Sequence, residues 1–207
     1  TLFPYTTLFR SNSLKEHDVY EVTVVDLPPN QKPIGLKWVY RVKLGEPSLE
    51  KFKSRIRALG YRQKAGIDFE ESFAPTARFE SLRTVLSNAA EEKLELVQFD
   101  VISAYLNASI KETVYVTQVP GFEDGTKKVL RLKKALYGLR QSGRAFHLKF
   151  KEILVGKLAL SQSTADPCIF FRNGNDRIII CTYVDDAMLE HDVKPIIKLD
   201  NTSTIQI

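Results

Sequence analysis

Apolar and polar positions change their spacing several times along the chain, and each change marks an element. Positions 36–43 (LKWVYRVK) alternate after a loop holding Pro28, Pro29 and Pro33, the period-two pattern of a half-buried strand. The basic stretch 52–63 predicts a second strand of the same ribbon, after a turn at 45–48. From 79 to 93, Leu82, Val85, Leu86, Ala89 and Ala90 recur at helical spacing. Alternation returns at 96–101, with Val97, Phe99 and Val101 on one face and Leu96, Gln98 and Asp100 on the other. A short strand at 114–117 is broken by Pro120-Gly121. Ser142 reads as the cap of a helix whose stripe is Phe146, Phe150, Ile153, Leu154 and Leu158. Strands at 168–172 and 177–184 flank Asn173-Gly174, a strong hairpin signal, and a second hairpin would turn at Asp185-Asp186. The pattern predicts an α+β domain, an antiparallel sheet backed by helices.

The chain's 207 residues suit one substantial domain or two small ones. No apolar run approaches the roughly 18 residues that span a bilayer. Two cysteines make no disulfide scaffold, and three histidines without paired Cys/His spacing make no structural zinc site. The class left is a soluble globular protein of a reducing compartment. The net charge of +5 hides two basic blocks. Residues 32–64 hold ten Lys and Arg against two acids, and residues 127–157 hold ten against one, so the remainder of the chain is acidic. Such blocks suit a polyanion-binding surface beside an acidic site, or simply solvated faces.

The sharpest feature is Tyr183-Val184-Asp185-Asp186, where an apolar strand delivers two acids to a turn. At an effective dielectric near 20, two carboxylates about 4 Å apart repel by about 4 kcal/mol. Such a pair protonates, or it holds a hard cation with oxygen ligands; a solvent-facing acidic turn gives the same local pattern. Asp100, on the less apolar face of its strand, is the candidate third carboxylate. Strand alternation lets only one of Asp185 and Asp186 share a cation with Asp100 unless the turn redirects the other.

Eight segments in order carry a resemblance to a known family: LPPNQKPIGLKWVYRVK, KFKSRIRALGYRQ, GIDFEESFAPTARFESLR, LELVQFDVISAYLN, VYVTQVPGF, LRLKKALYGLRQ, ADPCIFF and YVDD. Over about residues 19–189 the chain resembles the reverse transcriptase of copia-type LTR retrotransposons. The resemblance implies a right-hand polymerase fold, with an acidic palm and a basic fingers subdomain at 12–189. It implies RNA-directed DNA synthesis by two-metal transfer of dNTPs to a primer 3′-hydroxyl, with two Mg2+ ions held by Asp100, Asp185 and Asp186. An inert retroelement remnant that at most binds nucleic acid is the rival reading.

By the same resemblance, Lys53 and Arg55 hold the triphosphate, and Tyr105 lies under the incoming sugar, where its bulk excludes a ribose 2′-hydroxyl. Gln141 lies near that sugar, and Tyr183 and Val184 pack beneath the primer end. For Tyr105 the competing role is a core aromatic, and for Gln141 the polar run-in to a helix. Trp38 and Tyr40 either stack on bases or pack in the core. The implied partners are an RNA or DNA template-primer and, in an intact element, integrase and ribonuclease H domains, with no membrane. The implied location is the cytoplasm, within a virus-like particle, or the nucleus; the sequence carries no targeting signal.

Several features depart from the family. Ser142-Gly143-Arg144-Ala145-Phe146 stands where Ala-Pro-Arg-Ala-Trp is common, and Leu59 stands where lysine is usual. Residues 1–11 read as a translated sequencing adapter, to be set aside from fold reasoning. Residues 190–207 read as a truncated or divergent tail, with the thumb absent.

Overall fold

The computed structural model describes residues 3–23, 27, 31–43, 51–174, 177–184, 186–191, 198–199 and 205–206. In chain order the elements are α1 (Phe3–Glu16), β1 (Tyr20–Thr23), β2 (Leu36–Lys43), β3 (Lys51–Ala58), α2 (Phe79–Glu92), β4 (Glu95–Asp100), β5 (Ser109–Val116), β6 (Val129–Lys134), α3 (Ser142–Glu152), β7 (Ser161–Gln162), β8 (Ile169–Arg172), β9 (Ile178–Tyr183) and β10 (Asp186–His191). A short pair, Lys198–Leu199 with Ile205–Gln206, follows. The architecture is mixed, with antiparallel sheets and few helices, in keeping with the α+β expectation. No helix among the described residues is long and apolar enough to cross a membrane.

The chain divides into two compact units, Thr1–Ser72 with Tyr105–Ala145, and Phe73–Ala104 with Phe146–Ile207. In the first unit the β2–β3 ribbon and the sheet β1-β6-β5 enclose a core of Leu14, Val19, Ile34, Ile56, Val114, Val116, Leu132 and Leu136. Alternation dictates the ribbon: Leu36, Ile56 and Ala58 are buried on one face, while Lys37, Arg41 and Arg57 stand exposed on the other. The expected turn at 45–48 lies outside the described residues. The second strand ends at Ala58, five residues short of the expected limit, because Gly60–Arg62 winds into a 3-10 turn.

In the second unit a five-stranded sheet runs β4-β10-β9-β8-β7. Phe170, Ile178, Ile180, Ala187 and Leu189 are buried in it, as are Phe146, Phe150 and Leu154 from α3 and the turn that follows. Helix α2 starts one residue past Arg78 and ends at Lys93, which takes a left-handed conformation at φ 56°.

The segment set aside as an adapter forms most of α1, which lacks an apolar stripe and buries Ser11 and Ser13 beside Leu14. Three features differ from the sequence expectation. Strands β1 and β6 were not expected; in β6 the buried Val129, Leu130 and Leu132 are interleaved with basic residues that mask the alternation. Ser142 does not cap α3: it is the first helical residue, and its hydroxyl donates to the Leu136 carbonyl at 2.6 Å. The second hairpin turns one residue earlier than expected, since Asp186 already pairs with Tyr183 as the first residue of β10.

Candidate active site

The two strands that bear acids are neighbours. β10 lies between β4 and β9, and the register sets Asp186 opposite Asp100 on one side and opposite Tyr183 on the other. Directly opposed residues in an antiparallel pair have Cα atoms about 4.5–5.5 Å apart, and like charges there are destabilising. Asp100 is exposed, as are Leu96 and Val97 of the same strand, so β4 carries its acid on an edge open to water. Asp185 lies outside the described residues, and among those described no three His, Cys, Asp or Glu side chains gather as metal ligands. Carboxylates are oxygen donors suited to a hard cation such as magnesium.

Val184, in the turn before Asp185, has φ 58°. A β-branched residue in the left-handed region is strained, and such strain marks functional turns. Tyr183, 56% exposed, closes the hairpin across from Asp186. On the sheet face shared by Gln98, Met188 and Cys181, a cleft of about 320 Å³ opens toward Phe79 and Leu82 of α2. Cys181 and Cys168 are buried, and burial, followed by the Asp166 charge, pushes both thiols up to about 11. They are therefore not nucleophiles at neutral pH.

The candidate nucleotide residues lie in the first unit. Lys53 and Arg55 are half-buried on one face of the ribbon, and the register places Lys37 opposite Arg57, Arg41 opposite Lys53, and Lys43 opposite Lys51. With Arg55, Lys37, Arg41, Lys53 and Arg57 thus share one face of two strands. The Arg55 guanidinium carbon is 5.9 Å from the centre of the Tyr137 ring, which lies 4.5 Å from the Tyr105 ring at 54°. Tyr105, in the 3-10 turn Ala104–Asn107, thereby joins Arg55 through an aromatic residue that sequence reasoning missed. The available signal was the LYGLRQ motif itself, whose tyrosine was passed over for its glutamine.

Tyr137 is anchored by its backbone: its carbonyl accepts from Ala58 N–H at 2.8 Å. Gly138 permits this contact at φ 96°, because a Cβ there would lie 2.2 Å from the Ala58 carbonyl oxygen. Gln141 is 3% exposed, with both ends of its amide engaged. Its oxygen accepts from Gln63 Nε2 at 2.9 Å, and its Nε2 donates to the Asp68 carbonyl at 2.9 Å. Gln63 in turn accepts the Arg140 N–H at 2.7 Å. The amide network thus holds the 60–69 loop against the segment leading into α3.

Trp38 packs on the core, and its indole N–H donates to the Pro120 carbonyl at 2.8 Å, while Tyr40 stacks on it and remains exposed. Leu59, the departure from lysine, is partly buried against the core, which accounts for its apolar side chain. Phe146 is buried and stacks on Phe150 at 5.5 Å, so the exchange of tryptophan for phenylalanine keeps an aromatic anchor.

Residues 17–202 match the reverse transcriptase (RNA-dependent DNA polymerase) family, and the chain belongs to it. It is 38% identical over 182 residues to the retrovirus-related Pol polyprotein from transposon TNT 1-94 of Nicotiana tabacum, a match covering 86% of this chain and 14% of that protein. The corresponding polyprotein from transposon RE2 of Arabidopsis thaliana is 34% identical over 166 residues, covering 78% of this chain and 11% of its own length. The Ty1-BL Gag-Pol polyprotein of Saccharomyces cerevisiae is 37% identical over 116 residues, covering 55% and 6%. The copia-type resemblance drawn from the motifs is borne out, and the chain spans a small part of each relative.

Proposed function

We propose that this chain is the fingers and palm portion of an RNA-directed DNA polymerase, adding deoxynucleotides to the 3′-hydroxyl of a primer paired to a template. The observation that carries the reading is the register of Asp100 opposite Asp186 beside the strained turn at Val184. Asp100, Asp185 and Asp186 would hold two magnesium ions. When bound, these ions supply Lewis-acid stabilisation of phosphoryl transfer and make the primer hydroxyl easier to deprotonate.

The chain's own residues bind and orient. Lys53 offers a compact charge and Arg55 a planar fork to the triphosphate. Tyr105, backed by Tyr137, presents an aromatic wall to the sugar and excludes a 2′-hydroxyl. Tyr183 and Val184 pack beneath the primer end. The remaining bases of the ribbon and of residues 127–157 track phosphates without reading sequence. Attack comes from the substrate's hydroxyl, so no protein nucleophile is required.

Primer extension tests this reading with purified chain, a template-primer, magnesium and the four dNTPs. The reading expects extension that falls by at least about 10²-fold in Asp100→Asn. A wild-type chain that extends nothing contradicts it and favours an inert remnant.

A further inference from the structure

The ADPCIFF segment has no part in the chemistry above, yet it contains a buried carboxylate with both oxygens hydrogen-bonded. Asp166, in the loop between β7 and β8, is 3% exposed. Its Oδ2 accepts from Ser81 Oγ at 2.6 Å and from Arg78 N–H at 3.0 Å, and its Oδ1 accepts from Cys168 N–H at 2.9 Å. Burial alone would raise its pKa, but these hydrogen bonds outweigh it and hold the carboxyl below the usual carboxylate range. Arg78 is the N-cap residue of α2 and makes no side-chain cap of its own, so Asp166 ties down the start of that helix from a distant part of the chain.

Both carboxylate oxygens are required. Arg78 N–H and Cys168 N–H are fixed donors, one aimed at each oxygen. Asparagine offers one acceptor oxygen and one NH2, so either orientation sets donor against donor. A buried charge is costly unless fully hydrogen-bonded, and this one is.

The partners of Asp166 lead to both acid-bearing strands. On one side, α2 passes through Lys93 and Leu94 directly into β4, which ends at Asp100. On the other, the Cys168 carbonyl accepts from Thr182 N–H at 2.9 Å and from Thr182 Oγ1 at 3.1 Å. Thr182 precedes Tyr183, the register partner of Asp186. We propose that Asp166 is a positioning residue that fixes the turn end of the β9–β10 hairpin relative to the start of α2, and so keeps the acids of β4 and β10 in register. This rests on the reading of those acids as a magnesium site.

The test combines amide hydrogen exchange with a magnesium titration followed by thermal unfolding, on the full chain and on Asp166→Asn. The expected result is exchange faster by at least about tenfold at Thr182 and Tyr183, against little change at Ile178–Ile180. The magnesium concentration for half-maximal stabilisation rises with it. Uniform acceleration across the unit, or unchanged exchange at Thr182, overturns the proposal, since the first is the signature of a merely structural residue. Ser81→Ala removes one donor and keeps the other two, so it should give the same pattern at smaller amplitude even where Asp166→Asn fails to fold. A wild-type chain that ignores magnesium defeats the metal reading, and the exchange pattern still decides the role of Asp166.

Discussion

The β2–β3 ribbon of the first unit and the β4–β10 pair of the second are both antiparallel ladders that set like charges across from one another. In the ribbon the pairs are Lys37 with Arg57 and Arg41 with Lys53, on one face. In the second unit a single pair, Asp100 with Asp186, lies where the ladder begins beside a turn. Opposed like charges each cost up to about 1 kcal/mol, and neither ladder gains stability from them. The difference lies in shape. A stripe of positive charge several residues long matches a polymer of regularly spaced phosphates, whereas two acids at one point match a compact cation. On the proposed reading, attraction to the complementary partner would outweigh that repulsion.

The comparison is sharpened first at the ribbon. Arg55→Ala should raise the KM for dNTP by about 10–100-fold through loss of a charge-assisted contact, with a smaller change in kcat, measured by steady-state primer extension. An unchanged KM would remove Arg55 from the nucleotide site and leave its stacking on Tyr137 as its only role.

A smaller effect is expected further along the stripe. Lys37→Gln with Arg57→Gln should stabilise the apo protein by up to about 1 kcal/mol as the opposed charges are relieved. The same double variant should flatten the dependence of template-primer affinity on salt by about 0.7–0.9 per lost phosphate contact. Affinity measured by anisotropy at several salt concentrations reads this directly, and an unaltered slope would mean that this part of the ribbon faces only solvent.

How much of this the sequence carried depends on the range of the interactions. Strand β2 and helix α2 were legible because each buries one periodic set of side chains, whereas β4 half-buries Phe99 alone and was legible only by its alternation. Helix α1 was not, because it buries serines rather than an apolar stripe. The hairpin register slipped by one because the run 178–184 holds no charged residue and does not alternate, and only pairing with β4 fixes where the strand turns back. The engagement of Gln141 was invisible for a different reason: its partner Gln63 lies 78 residues away, and no local pattern announces that bond. Tyr137 was overlooked likewise, since its ring gains meaning only once Arg55 and Tyr105 are beside it. The acids themselves were legible as a motif, and their opposition as a register was not.

The smallest effect is expected at the turn. Val184→Gly relieves the left-handed strain of a β-branched residue, worth about 1–2 kcal/mol, and loses roughly 0.5–1 kcal/mol through added freedom of the unfolded chain. A net stabilisation of under about 1 kcal/mol in denaturant unfolding is the expected outcome. A clear loss of stability would show that the valine side chain makes a compensating contact.

The most direct measurement is thermal unfolding of the wild type and Asp100→Asn, each titrated with magnesium. If the acids of β4 and β10 share a cation, Asp100→Asn is at least as stable as the wild type without metal, because an opposed negative charge is gone. It then loses most of the stabilisation that magnesium confers on the wild type, which reaches about 2.7 kcal/mol at a hundred times the dissociation constant. Equal stabilisation of the two proteins by magnesium would contradict the account.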